Sequence, residues 1–407
     1  MRAMRYACIP FVTLAVACAG GDASEVRVTL RDSAGIEIVE SHGTLAGLPQ
    51  WRLSPEPILG IGVLEGEPAY QLDNLVKVLL VRDRIVVADG GSRELRYFDL
   101  DGRHVISVGG RGGGPGEFEA IGWLGRYGTD SLIAYDVRQR RFSIFDIEGN
   151  FVRSFVPARP VFNIAGRFAD GSFVVPPSVS FTAGMARQGL TRDSAAVLRV
   201  QADGAGVDTL IRLLAGEYIV ETSATYMGVR PRPFGLVTYS AVSDSLIFVG
   251  TGDAYDIAVH DRDGRLLRLI RRDLPRARVR SADIASERER RLAAITDDNQ
   301  RREVERRLAE TSYPDLMPAH GQLEVDDEGN LWVQDHAIDH EVPLRWTIFT
   351  PHGRAIGGVT TPARFAIDQA GADFLLGRWR DEDDVDHVRL YRLERSRSRE
   401  IAGSDAP

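Results

Sequence analysis

The run Ile85-Val86-Val87-Ala88-Asp89, then Leu95-Arg96-Tyr97-Phe98-Asp99, then Asp101-Gly102 and His104 to Val108, decides the fold of this chain. Its segments are short, rich in β-branched and aromatic residues, and bounded by turn residues, which are strand signals rather than helix signals. An Asp-Gly pair between two such runs suits a tight hairpin, because Gly and Asp tolerate the positive φ that the turn demands. The same unit returns at Leu132 to Asp136, Phe142 to Asp146, Glu148-Gly149 and Phe151 to Phe155.

Working outward, the turn glycines fall at Gly102, Gly149, Gly204, Gly264 and Gly353. The first three intervals are roughly 45 to 60 residues, the length of a four-stranded propeller blade, and the last is close to two units. A further unit keeps only its inner runs, Phe374 to Trp379 and Val388 to Leu393. Trp51 to Gly62, followed by Gly66-Glu67 and Tyr70, repeats the end of the first full unit with no inner strands before it. The N-terminal segment is therefore expected to supply the outermost strand of the last blade. A single blade cannot bury both faces, whereas a closed ring buries them and leaves few open edges. The sequence predicts an all-β, six-bladed β-propeller closed by an N-terminal strand, with a helical insertion between blades 4 and 5.

The pattern Val-Ala-Asp, then Phe-Asp-x-x-Gly, then Gly-Arg-Gly-Gly-Gly-Pro-Gly-Glu-Phe at residues 110–118 resembles the NHL-type and TolB-like six-bladed β-propellers, secreted bacterial members above all. The likeness covers residues 50–395, and its motifs speak to fold rather than activity. The third unit departs most, with a poorly patterned stretch between Ser172–Pro177 and Ala196–Val200.

Four regions are expected. Residues 1–18 read as a lipoprotein-type signal peptide, with Arg2 and Arg5, an apolar run from Tyr6 to Ala17, and Cys18. Cys8 and Cys18 are the only cysteines, both in this leader, which favours lipidation of Cys18 over plain cleavage. Residues 19–50 form a tether and a hairpin around Asp32-Ser33-Ala34-Gly35 outside the ring, with His42 to Pro49 as linker. Residues 51–395 are the propeller, interrupted by helices at 281–311, and residues 396–407 form a disordered tail. The chain is thus expected to be exported to the cell envelope, periplasmic or outer-membrane-associated, or else secreted.

Over 407 residues the net charge is −8, which argues against an extended nucleic-acid surface. Lys77 is the only lysine among 50 basic residues, which reads as arginine-biased codon usage. Loops converging on the channel mouth form the default ligand surface of such a ring. Glu119, Asn163, Arg232, His320 and Arg364 stand at or near the starts of inner strands there. A propeller channel is polar without any ligand, so composition alone does not make these a site.

His336 and His340, with His387 in the next unit, are candidate metal ligands for Zn²⁺, and the acidic loop Asp381, Glu382, Asp383, Asp384 and Asp386 for Ca²⁺. Both stretches read equally as solvated loops, since the calcium-loop Gly and the second His of the zinc-protease motif are missing. No cofactor is identified. The glycine run 109–116 lacks the Gly-Lys-Ser/Thr ending of a phosphate loop, and no Gly-x-Ser-x-Gly elbow occurs. Residues 281–311 suggest two short helices, with Ser286 and Glu289 placed like a capping box and a break at Asp297-Asp298-Asn299. They serve either as a lid or docking arm over the mouth, or as a solvated excursion.

The functional expectation is a non-catalytic binding module for a protein, peptide or glycan, without nucleic acid or oligomer, touching membrane only through its anchor. The alternative is a metal-dependent lactonase-like hydrolase or a lyase, as the resemblance allows. It would need three of Glu119, Asn163, His320, Asp73 and Asp326 to share one coordination sphere. A structural spoke in an envelope complex is the third reading.

Overall fold

A computed structural model describes residues 26–43, 47–178, 188–222, 227–293, 295–339 and 341–396. The expected signal peptide with Cys18, most of the tether, all of the C-terminal tail but Ser396, and His340 lie outside the described residues.

Six sheets follow one another along the chain, each built from four consecutive antiparallel strands or completed from elsewhere. The first comprises Leu75–Val81, Arg84–Asp89, Glu94–Phe98 and His104–Gly109. The second comprises Ile121–Arg126, Ser131–Asp136, Arg141–Asp146 and Phe151–Phe155. The third comprises Gly166–Arg167, Phe173–Ser178, Ser194–Val200 and Val207–Leu214. Tyr239–Val242, Leu246–Gly250, Asp256–Asp261 and Leu266–Arg272 form the fourth. The fifth holds Leu323–Val325, Leu331–Gln334, Leu344–Phe349 and Ala355–Thr361.

Three strands of the sixth sheet are consecutive: Phe365–Ala370, Phe374–Arg380 and Asp386–Glu394. Its outer edge comes from the other end of the chain. Arg52–Leu53 and Leu59–Ile61 pair antiparallel with Asp386–Glu394, in the register Arg52↔Glu394 and Ile61↔Val388. The pairing expected from the Trp51–Gly62 repeat is present.

Second strands such as Arg84–Asp89 are buried almost throughout because neighbouring sheets cover both faces. Outer strands such as His104–Gly109 stay half-exposed. Each apolar cluster is shared by two consecutive sheets. Between the second and third, Phe142 stacks on Phe173 at 4.4 Å between ring centres. Another cluster joins the sixth sheet to the first through Leu376, Val388, Val87 and Phe98. The architecture is a β-propeller.

The repeated Asp residues explain the periodicity. Asp136, at the end of its strand, accepts four backbone N–H groups: those of Glu119 (2.6 Å), Ala120 (3.1 Å), Arg138 (2.9 Å) and Gln139 (2.8 Å). It pins the turn to the incoming loop. Asp89 does similar work for Ser92 and Asp73. On the opposite side, Asp99 Oδ1 accepts from the N–H groups of Asp101 and Arg103, and Gly102 takes a φ of 78° to close the turn. Burying these carboxylates is tolerable because charge-assisted bonds satisfy them.

The N-terminal hairpin is present as Arg27–Ser33 and Ile36–His42. Its second strand runs parallel to Leu266–Arg272 and extends the outer edge of the fourth sheet. His42 therefore belongs to a strand, which corrects the linker expected from His42 onward. A further small sheet of Gly189–Thr191, Tyr218–Thr222 and Met227–Pro231 was not foreseen.

Two helices, α1 (Ser281–Ala293) and α2 (Asp298–Ala309), lie between the fourth and fifth sheets in sequence. The expected Ser286–Glu289 capping box is absent, since Ser286 sits mid-helix. Asp283, in the first turn of α1, accepts the Arg280 N–H at 2.9 Å instead. Asp297 caps α2 by accepting from Gln300 N at 2.7 Å, at the foreseen break. Among the described residues, no helix is long and apolar enough to cross a membrane.

Candidate functional site

The first strands of the six sheets surround a polar channel of about 550 Å³. Residues from all six reach it, among them Val76, Gly122, Asn163, Tyr239, Glu324 and Asp368. Its wall is uneven. The first, fifth and sixth sheets present Lys77, Glu324, Asp368 and Arg378, while the second to fourth contribute Trp123, Tyr239 and glycine backbone.

Irregular backbone places the charged group. Pairing shifts between Leu75 and Lys77 in the first sheet, and between Ile367 and Gln369 in the sixth. Each shift is a β-bulge, a device that re-aims side chains beside functional sites. Val76 and Asp368 are the extra residues. Asp368 Oδ2 accepts from Arg378 Nε at 2.9 Å and from Val78 N at 3.1 Å, bridging adjacent sheets. Arg378 also donates to the Leu75 carbonyl at 2.9 Å.

Lys77 Nζ stands 3.6 Å from Asp368 Oδ1, beyond hydrogen-bonding distance. That oxygen has no hydrogen-bond partner among the described residues, although the Asp368 side chain is only 1% exposed. Glu324 is half-buried and lines the lumen. Burial pushes its carboxyl up to about 7; Asp368 adds to the rise, and Lys77 and Arg378 oppose it. Burial also raises the Tyr239 phenol.

Of the residues singled out from the sequence, Asn163 alone lines the channel, where its Oδ1 accepts from Ile164 N at 2.8 Å. Glu119 is exposed and acts through its backbone, donating to Asp136. Arg232 lies beside the small extra sheet, paired with Glu217 and donating to the Ser312 carbonyl at 2.8 Å. Arg364 pairs with Glu341 and donates to the Asp381 carbonyl. His320 is buried near Tyr255, and its Nε2 accepts from Gly252 N. These five do not converge.

His336 borders a second cavity, of about 700 Å³, with Arg276, Met317, Pro318, Ile338 and the start of α1. Burial drives its imidazole down to about 4, and His320 and Arg276 push the same way. His387 sits elsewhere, bonded to Asp381 Oδ2 at 2.9 Å and packed on Trp379. Two carboxylates of the acidic loop are engaged in protein bonds. Asp381 Oδ1 accepts from the N–H groups of Asp383 and Val385, and Asp386 bridges Arg380 and Leu75 N. Among the described residues, no three His, Cys, Asp or Glu are gathered to hold a metal ion.

The channel cluster was missed from the sequence. Lys77 and Asp368 lie far apart along the chain and meet because the sixth sheet packs on the first.

Comparison with solved structures fits this architecture. A Bacteroides vulgatus member of the DUF4221 family superposes with a TM-score of 0.52 at 8% identity, covering 86% of this chain and 100% of that one. A candidate exported protein of Bacteroides fragilis matches with a TM-score of 0.50 at 11% identity, covering 88% and 100%. At these identities the likeness is one of fold. A virginiamycin B lyase from Staphylococcus aureus aligns at a TM-score of 0.40 and 9% identity over 85% of this chain and 99% of that one, too distant to carry an argument. No protein-family profile and no curated protein sequence matches this chain.

Proposed function

We propose that this chain is an extracytoplasmic, lipid-anchored β-propeller of the NHL/TolB-like type, a binding module that takes its ligand in the central channel. Counting one blade per four-stranded sheet gives six, with the N-terminal segment as the last outer strand and α1 and α2 inserted between blades four and five. The leader ending at Cys18 supports export and anchoring, and the fold shared with a candidate exported protein is in keeping with export.

The observation that carries the binding reading is the cluster of Lys77, Glu324, Asp368 and Arg378, of which Lys77 and Asp368 lie on bulged strands, facing an open channel of about 550 Å³. A purely structural axle gains nothing from half-buried, incompletely paired charges, which are costly to desolvate. Small-molecule sites combine such convergent polar groups with less polar walls.

Thermal-shift measurements against a panel of small carboxylates, phosphates, sugars and dipeptides test this, comparing the mature protein with a channel-filling Ala165→Trp variant. A ligand that raises the Tm of the native protein and leaves the filled variant unmoved supports channel binding. If no class distinguishes the two proteins, the reading falls. For the anchor, Cys18→Ser should move the exported protein from the detergent phase to the aqueous phase.

A further inference from the structure

We propose that the channel binds a small carboxylate monoanion, seated against Lys77 and Arg378 with Glu324 opposite, and that the anion binds the form of the channel in which Glu324 carries its proton. This rests on the channel-binding reading above and names its ligand class.

Charge and unspent hydrogen bonds carry the argument. Lys77 and Arg378 are fixed cations, with side chains 25% and 33% exposed. Asp368 is the one fixed anion among them, tied by Arg378 and Val78 N. With Glu324 protonated, the cluster lacks one negative charge. With Glu324 ionised it is balanced, and an incoming anion meets a like charge. The Lys77 ammonium makes no hydrogen bond with the described residues, so its N–H donors remain for a ligand, and the protonated Glu324 can donate another. A monoanion restores neutrality, while a dianion such as phosphate overshoots it.

The groups facing Glu324 are Lys77 from the first sheet, Asp368 and Arg378 from the sixth, and uncharged Asn163 and Tyr239 from the third and fourth. Burial has brought the Glu324 carboxyl to about 7. Proton and anion therefore favour each other by linkage, which is reciprocal. Affinity should be flat below about pH 7 and fall about tenfold per pH unit above it. The volume admits a carboxylate carrying a ring or short chain, with Trp123 and Tyr239 on the less charged half of the wall.

Isothermal titration of the full mature protein with benzoate and acetate, and with benzamide as a neutral twin, tests the proposal. It should be run at pH 6.0 and 8.5 in buffers of differing ionisation heat. The expected result is carboxylate binding about 30-fold weaker at the higher pH, with about one proton taken up there, and no response to benzamide. Glu324→Gln should keep binding and lose the pH dependence. Lys77→Met should abolish binding while the circular dichroism and Tm of the variant stay native. Carboxylate binding at pH 8.5 without proton uptake, unchanged binding in Lys77→Met, or no binding by either carboxylate would overturn the inference. Benzamide or another neutral panel member binding in the channel, and lost in Ala165→Trp, would overturn the anion but spare the binding module. Silence across the whole panel would remove both.

Discussion

Removing the Trp51 side chain should loosen the ring where the two ends of the chain meet. Trp51 is 6% exposed, lies edge-on to Trp332 with ring centres 5.8 Å apart, and has the Arg395 guanidinium 4.6 Å from its ring centre. Its backbone N–H donates to the Gly358 carbonyl at 2.7 Å. The neighbouring glycine is equally committed, since a Cβ on Gly357 would come within 2.6 Å of Trp51 Nε1. An indole buries on the order of 150–250 Å², which at about 25 cal/mol per Å² is about 4–6 kcal/mol before relaxation. Large-to-small substitutions at such sites cost about 3–5 kcal/mol. Trp51→Ala is therefore expected to lose about 4 kcal/mol, a large share of a typical folding free energy of about 5–15 kcal/mol. Urea unfolding followed by circular dichroism reads the equilibrium cost, and the unfolding rate at fixed urea reads whether the closure resists opening. Leu30→Ala, at a position 65% exposed on the appended hairpin, is the control and should change stability by less than about 0.5 kcal/mol. A Trp51→Ala loss below about 1 kcal/mol with an unchanged urea slope would refute the claim that this segment belongs to the cooperative unit.

Three further outcomes are expected. Asp136→Ala strips four backbone N–H groups of their acceptor and should cost about 3–5 kcal/mol in urea unfolding, with Asp136→Asn recovering part of it. His336, held neutral down to about pH 4, refuses a proton that the unfolded chain accepts near 6.5. Stability should therefore fall as pH drops through that window, by at most about 1.4 kcal/mol per unit, and thermal melts of His336→Gln should lack that part of the slope. Replacing residues 281–309 by a Gly-Ser linker should cost less than about 2 kcal/mol, because Leu308 is the only fully buried apolar residue described in α1 and α2. Melting of the whole protein on this replacement would show that the helices carry the core.

What the sequence disclosed was whatever repeats locally. Runs such as Ile85 to Asp89 are buried on both faces and so read as strands without context. Gly102 and Gly149 are demanded by positive φ in turns that recur in each copy. The N-terminal closure was legible because Trp51 to Gly62 copies an outer strand that lacks inner partners. The small extra sheet escaped notice because Gly189–Thr191 is too short to show a period and its partner begins at Tyr218, across the third sheet. The mouth residues misled for a related reason. Polar residues at the starts of inner strands satisfy local bonds: Glu119 through its backbone N–H, and His320 as acceptor for Gly252 N.

The channel cluster was hidden by a different physical feature. A period of two assigns side chains to faces only while the pairing stays regular, and a bulge resets that assignment from its own position onward. Val76 and Asp368 are both extra residues in their strands, so the alternation around Val76-Lys77-Val78 could not say that the amine enters the lumen. Nor could sequence proximity, because Lys77 meets Asp368 across the contact between the first and last sheets. A lone lysine among so many arginines looks like a bias of composition, yet it occupies the place where a long, fully hydrated cation is hardest to bury without a purpose. On the proposed reading, the two bulges on adjacent inner strands that bring Lys77 and Asp368 to one channel mark the binding surface of this chain better than the polarity of its mouth does. Replacing Lys77 by Arg tests that distinction. A guanidinium pairs with a carboxylate as readily as an ammonium does, so Lys77→Arg should keep both fold stability and benzoate binding, whereas Lys77→Met keeps the fold and loses the binding. Loss of benzoate binding in Lys77→Arg would show that the charge on this bulged strand is not what holds the anion.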